Sequence, residues 1–378
     1  MKFISSIHLA SLLFGCLLLS SCREEGQGPV FTPDEKDDIE FDLVFDSRAT
    51  DPSLLEEYKD YFEDGKSCVL ISQRTGNMSL DFEEDSNNCY RYIYYKNDAA
   101  DWDSGYNFRS ENPLGWQQIL DNGLFNNGFA FGALFFPQNY RLDNEVETDQ
   151  SKETTFIESD ILGAWHRTSV IRDRLKFQLH HLMCKLHINL YIPVLDSKNG
   201  NGYNPSKVVA SAISFRTDFS IEWGDRTTEL PPIAKPSASE TGRVNDIIML
   251  KRVDGEQTTL NTDFLGNFNV DTSTFPSDNV RKYSFEVLFP EQSVSGDFLR
   301  FTVTVADVDY NFLFNSAYLT QNATGFAFKS GEITNLELYL PRTDNEVVLI
   351  NANVKKWGEA RAQFTITPAT PDTSNSNP

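Results

Sequence analysis

The chain is poor in cysteine, methionine and positive charge: 5 Cys, 4 Met, and 33 Lys and Arg against 55 Asp and Glu, for a formal net charge of −22. So acidic a surface would repel a phosphate backbone, which excludes a nucleic-acid partner, and it disfavours docking on anionic lipid. Beyond the N-terminus no apolar run approaches the roughly 20 residues that a bilayer-spanning helix needs. Catalytic motifs are equally scarce. Neither a G-x-S-x-G elbow nor an H-E-x-x-H helix occurs, and Gly65-Lys66-Ser67 lacks the glycine a phosphate loop requires five residues earlier, where Asp60 stands. Among the 5 histidines, His166, His180, His181 and His187 invite a metal reading. On one strand, however, His181 and His187 would sit about 20 Å apart and His180 and His181 would face opposite ways. Asp101-x-Asp103-x-Gly105 opens like a calcium loop, but the later acidic ligands are missing. No nucleophile, base and oxyanion donor come together. The sequence therefore predicts no enzyme, no metal site and no cofactor.

The strongest positive signal is N-terminal. Lys2 precedes an apolar run over residues 7–19, which ends in Leu19-Ser20-Ser21-Cys22. The run is too short for a mature span and has the layout of a secretory signal. Small residues at Ser20 and Ser21 directly before a cysteine form a bacterial lipobox. Residues 1–21 thus read as a lipoprotein signal peptide, and Cys22 as the site of lipidation, with a palmitate-type chain on its new amine. Each buried CH₂ would contribute about 0.8 kcal/mol to anchoring. The plainer alternative is an ordinary signal peptide with an incidental Cys22. Export permits disulfides. Cys68 and Cys89 are candidates for a bridge closing a loop of about 20 residues, worth about 3 kcal/mol. Two buried thiols fit as well, and Cys184 is left over as a core residue.

Residues 22–38 form a polar tether, with Pro29, Pro33 and the run Asp34-Glu35-Lys36-Asp37-Asp38. Period-two alternation then dominates. Ile39, Phe41, Leu43 and Phe45 share one face, with Glu40, Asp42 and Asp46 opposite. The pattern returns at 283–289, 301–305, 336–340 and 348–354. The longest strand signal covers 175–192, with His180, Leu182, Cys184, Leu186 and Ile188 on one face and Phe177, Leu179, His181 and His187 on the other. A boundary just before it, near residue 170, divides an N-terminal domain (39–170) from a C-terminal one (171–368), followed by a disordered tail at 369–378. Helical stretches are expected to be few and short, with 53–63 and 115–122 the best candidates. Many short strands with little helix predict an all-β protein of β-sandwich domains. Aromatic residues, 13% of the chain, suit sandwich cores and also a glycan-stacking surface.

A series of blocks, in order, resembles the fimbrillin-like family of Bacteroidota surface lipoproteins, the type V pilin-like fimbrial subunits. After the lipobox come Ile39-Glu40-Phe41 and Ser47-Arg48-Ala49-Thr50, similar to the family's first strand and its Arg-Ala step. Phe129-Ala130-Phe131-Gly132-Ala133-Leu134-Phe135-Phe136-Pro137 resembles its "F-x-A-Y-Y-P" strand with Tyr replaced. Asp160-Ile161-Leu162-Gly163-Ala164 resembles "D-L-M-x-A". Leu179-His180-His181-Leu182-Met183-Cys184-Lys185-Leu186 resembles "F-x-H-x-L-A-K-L", and 347–357 is similar to the closing "V-x-I-x-x-W". Cys22-Arg23-Glu24-Glu25 resembles a signal that sends lipoproteins to the outer face of the outer membrane, although a solvated tether explains the same letters.

The resemblance implies two transthyretin-like, Greek-key β-sandwich domains in tandem, and a surface-exposed fimbrial subunit supporting adhesion. Its partners would be other fimbrial subunits joined head to tail, the outer membrane through the precursor's lipid, and a host or bacterial surface ligand. Assembly would proceed by strand exchange. Cleavage between Arg48 and Ala49 would release the strand holding Ile39, Phe41, Leu43 and Phe45, opening an apolar groove with unpaired backbone. A terminal strand of the next subunit would fill it, the ladder giving affinity and alternate side chains the register. The donor is expected in 346–366, with Val348, Ile350, Ala352 and Val354 as its plug, or Phe364 and Ile366. Such a heterologous contact yields an open filament. The alternatives are a fimbrial anchor or tip component that keeps its lipid, and a non-polymerising glycan-binding surface lipoprotein.

Overall fold

Among the described residues, alternating apolar positions turn the first half of the chain into seven strands. These are β1 (Phe41–Phe45), β2 (Cys68–Arg74), β3 (Cys89–Lys96), β4 (Tyr106–Arg109), β5 (Phe129–Phe136), β6 (Leu162–Thr168) and β7 (Leu175–His181). The computed structural model describes residues 39, 41–45, 59–74, 80, 82, 89–96, 106–122, 128–138, 144–168, 175–193, 205–223, 231–238, 242–259, 280–319, 325–340, 347–357 and 362–366. In β7 the alternation is regular, with Leu175, Phe177 and Leu179 buried and Lys176 and Gln178 exposed. In β5 it disappears because all eight residues are buried: the strand lies between β2 and β6. Gly132 on β5 is there for space. A Cβ at this position would come within 3.0 Å of the Trp223 ring and 2.5 Å of Leu80.

The second half supplies β8 (Cys184–Pro193), β9 (Lys207–Arg216), β10 (Phe219–Glu222), β11 (Ile233–Pro236), β12 (Val244–Ile248), β13 (Leu250–Thr258) and β14 (Val280–Phe289). After these come β15 (Ser293–Val294), β16 (Asp297–Val305), β17 (Val308–Asn315), β18 (Phe326–Ala327), β19 (Glu332–Tyr339), β20 (Val348–Lys356) and β21 (Ala362–Ile366). The strand order β12-β9-β16-β17 makes one sheet and β13-β14-β8-β19-β20 another, with two-stranded pieces β10-β11 and β15-β18 beside them. Rings from the two larger sheets meet, Phe215 with Phe289 at 4.6 Å and Phe285 with Phe301 at 6.4 Å, so these sheets face each other across an aromatic core. Residues Ala306 and Asp307, both at positive φ (51° and 62°), close the two-residue β16–β17 hairpin in the manner that matches strand twist.

The chain is all-β. Among the described residues the α-helices are α1 (Trp116–Asn122), inside the expected 115–122, and α2 (Glu153–Glu158), which the alternation did not announce. The expected helix at 53–63 is not found in its described part, where Lys59–Tyr61 is a single 3₁₀ turn; residues 53–58 lie outside the described residues. The single strand expected over 175–192 is in fact two. Leu182 N–H donates to Ile161 O and Leu182 O accepts from Ala234, while Met183 O accepts from Gly331 N–H, so the ladder breaks there. This break reverses the parity of burial, with odd-numbered residues inward in β7 and even-numbered ones in β8. The physical reason is that β7 and β8 belong to different sheets, each with its own interior.

Strands β1–β7 and β21 form one sheet in the order β21-β1-β7-β6-β5-β2-β3-β4. Phe41 of β1 and Tyr92 of β3 stand five places apart in that order, yet their rings meet edge to face at 4.8 Å. The sheet must therefore curl over on itself, and β21 comes up against β4 at its far end.

Candidate functional site

The edge where this sheet closes is built from the two ends of the chain. β1 runs parallel to β7, Phe41 opposite Leu175 and Phe45 opposite Leu179. On its other side β21 runs antiparallel, pairing Phe41 with Ile366, Leu43 with Phe364 and Phe45 with Ala362. Ile39, Phe41 and Leu43 are at most 1% exposed. The Phe41 ring sits between Tyr92 and Phe177, the latter at 6.2 Å. Ile39 N–H donates to Leu114 O, and Leu114 N–H donates to the Tyr92 hydroxyl, which ties the entry of β1 to the segment before α1. Asp42, expected on a solvent face, is 2% exposed, although its register partner Lys176 on β7 is exposed. The backbone of Phe45 lies in β1, while its side chain, and Cys22, Arg48 and Ala49, lie outside the described residues.

The expected donor positions divide. β20 pairs antiparallel with β19 as the outermost strand of the five-stranded sheet. Within it Ile350 is buried, whereas Ala352 is exposed and Val354 is 50% exposed; the Val348 side chain lies outside the described residues. These four positions are thus not one continuous apolar face. The irregularity at Glu337/Leu338 shifts the register partway along the ladder, and Leu349, on the other face, is buried as well. Phe364 and Ile366 fall in β21, whose backbone completes the first sheet.

Between β20 and the first sheet lies a buried polar cluster that sequence reasoning did not assemble. Asp160, wholly buried, accepts from the Tyr61 hydroxyl at 2.5 Å and from His181 Nδ1 at 2.9 Å. Trp357 lies flat on the His181 ring at 3.6 Å with 4° between planes, and Lys185 Nζ stands 5.1 Å from the Trp357 ring. Further along, Glu286 contacts His187 (3.0 Å), Lys185 (3.4 Å) and Arg252 (2.7 Å). Burial alone would raise the Glu286 pKa, but the His187 hydrogen bond and the Lys185 and Arg252 charges outweigh it and hold the carboxyl well below the usual range. Arg252 also pairs with Glu153 and lies over the Phe156 ring. A cavity of about 340 Å³ opens here, lined by Asp60, Tyr61, Phe156, Lys185 and Glu286 among others. Lys185, Arg252, Glu153 and Glu286 around it pair with one another, which is the arrangement of a structural cluster.

Several of the remaining sequence candidates make structural contacts. His181 and His187 are on different strands and hold different carboxylates. Ser67, from the would-be phosphate loop, is buried and donates to Tyr61 O. Asp101, Asp103 and Gly105 lie outside the described residues. The Cys68–Cys89 bridge does not form. Cys68 stands opposite Ile93 and Cys89 opposite Ser72, four register positions apart, and both remain thiols. Four positions are about 13 Å along a strand, well beyond disulfide reach. Cys184 is a core residue, its thiol pKa pushed up by burial and by Glu291 and Glu332.

No protein-family profile matches the chain, and no curated protein matches its sequence. Among solved structures it is similar to a candidate cell adhesion protein of Bacteroides uniformis (14% identity, 85% of this chain and 98% of that one, TM-score 0.46). A second candidate cell adhesion protein, from Bacteroides ovatus, gives 12%, 85%, 98% and 0.48. The tip fimbrial protein Mfa3 of Porphyromonas gingivalis gives 7%, 84%, 100% and 0.35. At TM-scores under 0.5 and identities this low, the likeness decides neither fold nor function.

Proposed function

We propose that this chain is a surface-exposed fimbrial subunit that assembles by strand exchange, built as two β-sandwich domains in tandem that meet near Leu182. The observation that carries the reading is the terminal strand β1. It is short, with Phe41, Asp42 and Leu43 buried, parallel to β7, and followed three residues later by Arg48-Ala49. Removing it would strip Ile39, Phe41 and Leu43 from the core, at about 1.5–3 kcal/mol for each side chain, and leave β7 with an unpaired edge. Such an edge accepts another strand. The donor in this reading is the segment of β21, because β20 carries Ile350 in a core of its own. Cys22 carries the lipid of an outer-membrane precursor, and cleavage at Arg48 frees the subunit from it for a place in a fimbrium that adheres to a host or bacterial surface.

The test is to express residues 23–378, cut with an arginine-specific protease, and follow particle size by light scattering. Growth of the cut protein alone supports strand exchange. A cut protein that stays monomeric and equally heat-stable would show Arg48 to be an ordinary loop residue, and would favour an anchor or glycan-binding lipoprotein that keeps its lipid.

A further inference from the structure

The two strands that the strand-exchange reading assigns to opposite partners are paired with each other inside one chain. β21 lies on β1 over five residue pairs and reaches β4, so it covers the side of β1 not taken by β7 and occupies the gap between the two ends of the curled sheet. While it is there, a second chain finds neither a free β1 edge nor a free donor. We propose that β21 is a self-cap: the uncut subunit is held monomeric by its own C-terminal strand, with Trp357 as the fixed point that sets the cap's register. The inference rests on the strand-exchange reading and concerns how that exchange is held in check.

The geometry for the fixed point is specific. Trp357 is 8% exposed, stacks on His181, and donates its backbone N–H to Gly331 O at 2.7 Å. Gly331 N–H in turn donates to Met183 O. His181 belongs to β7, the strand beside β1, and is held by the buried Asp160, itself bonded to Tyr61. Trp357 is thus pinned to the end of β7. Ala362, five residues on, pairs with Phe45, and Phe45 pairs with Leu179, two residues before His181. Two strand spacings place Ala362 about 10 Å from Leu179. Five residues of extended chain span at most about 18 Å. Such a link can reach this register, and the pinned Trp357 limits how far β21 can slide along β1. The anchor makes the capping strand local, so it competes against strands of other subunits at high effective concentration.

The experiment uses residues 23–378 with Cys89→Ser and one added cysteine pair. Val44→Cys with Gln363→Cys joins direct register partners, whose Cα separation suits a disulfide; Val44→Cys with Thr365→Cys is two residues out of register. In the uncut monomer the first pair should oxidise within the chain about tenfold faster than the second, and Trp357→Ala should erase that preference while Trp357→Phe, which keeps a flat ring over His181, restores it. After cutting at Arg48, the crosslinked protein should stay monomeric and grow only once reductant is added. Absence of an intrachain crosslink, or equal oxidation rates for the two pairs, overturns the self-cap and leaves strand exchange standing. Growth of the crosslinked protein as fast as the reduced one overturns it too. A crosslink that forms in a protein that grows in neither state overturns strand exchange, and the self-cap falls with it.

Discussion

Phe41 and Glu286 show how differently single side chains hold this protein. Phe41 is fully buried between Tyr92 and Phe177, and Phe41→Ala should cost about 3–5 kcal/mol as lost transfer energy and a cavity, read as a lower urea midpoint at unchanged slope. Glu286 is one carboxylate shared by Lys185, His187 and Arg252. Glu286→Gln leaves those cations without a counter-charge in a mostly buried place and should cost about 3–5 kcal/mol at neutral pH. Its pH dependence has a definite sign. The folded pKa is depressed, so the contribution is present above the unfolded value and is lost as pH falls through the acidic range towards the folded one. Denaturation curves from pH 6 downward should therefore fall more gently for Glu286→Gln than for the parent. At the cysteines, the register that separates Cys68 from Cys89 predicts the same melting temperature with and without reductant. A drop of several degrees on reduction would show that the two strands pair differently.

Strands β20 and β21 are neighbours in sequence but belong to different sheets, which separates what can be lost from what cannot. β20 contributes Ile350 to a core and pairs along β19. β21 lies on the edge of the first sheet. A chain ending at Trp357 should therefore keep its circular dichroism and most of its stability, while its cut form fails to elongate because it has no donor. Truncation before Val348 should unfold the second half as well. If the chain ending at Trp357 grows into filaments as the full chain does, the donor lies elsewhere.

Across the whole molecule the charge of −22 works against self-association. Subunits that add head to tail must bring like-charged bodies together, and salt screens that repulsion over about 10 Å at 0.1 M. Growth of the cut protein should therefore speed up by about tenfold between low salt and a few hundred millimolar. Growth that slows with salt would point instead to attraction between oppositely charged patches at the contact.

The linear pattern was enough to foresee an all-β protein, the strand at Phe41–Phe45 and a helix near Trp116, because each depends on side chains no more than a few residues apart. Alternation places apolar groups on one face of a strand whatever the strand packs against. The same pattern misread residues 175–192 as one strand, since the parity of burial reverses only when β7 and β8 enter different sheets. It also put Asp42 on a solvent face, whereas the fold buries it. Tyr61, Asp160, His181 and Trp357 come from four distant stretches, and nothing in their spacing along the chain announces that they meet. Nor could spacing decide between a disulfide and two thiols, because register sets the distance between cysteines on paired strands. The pairing of β1 with β21 joins the two ends of the chain, and only the closing of the first sheet brings them together.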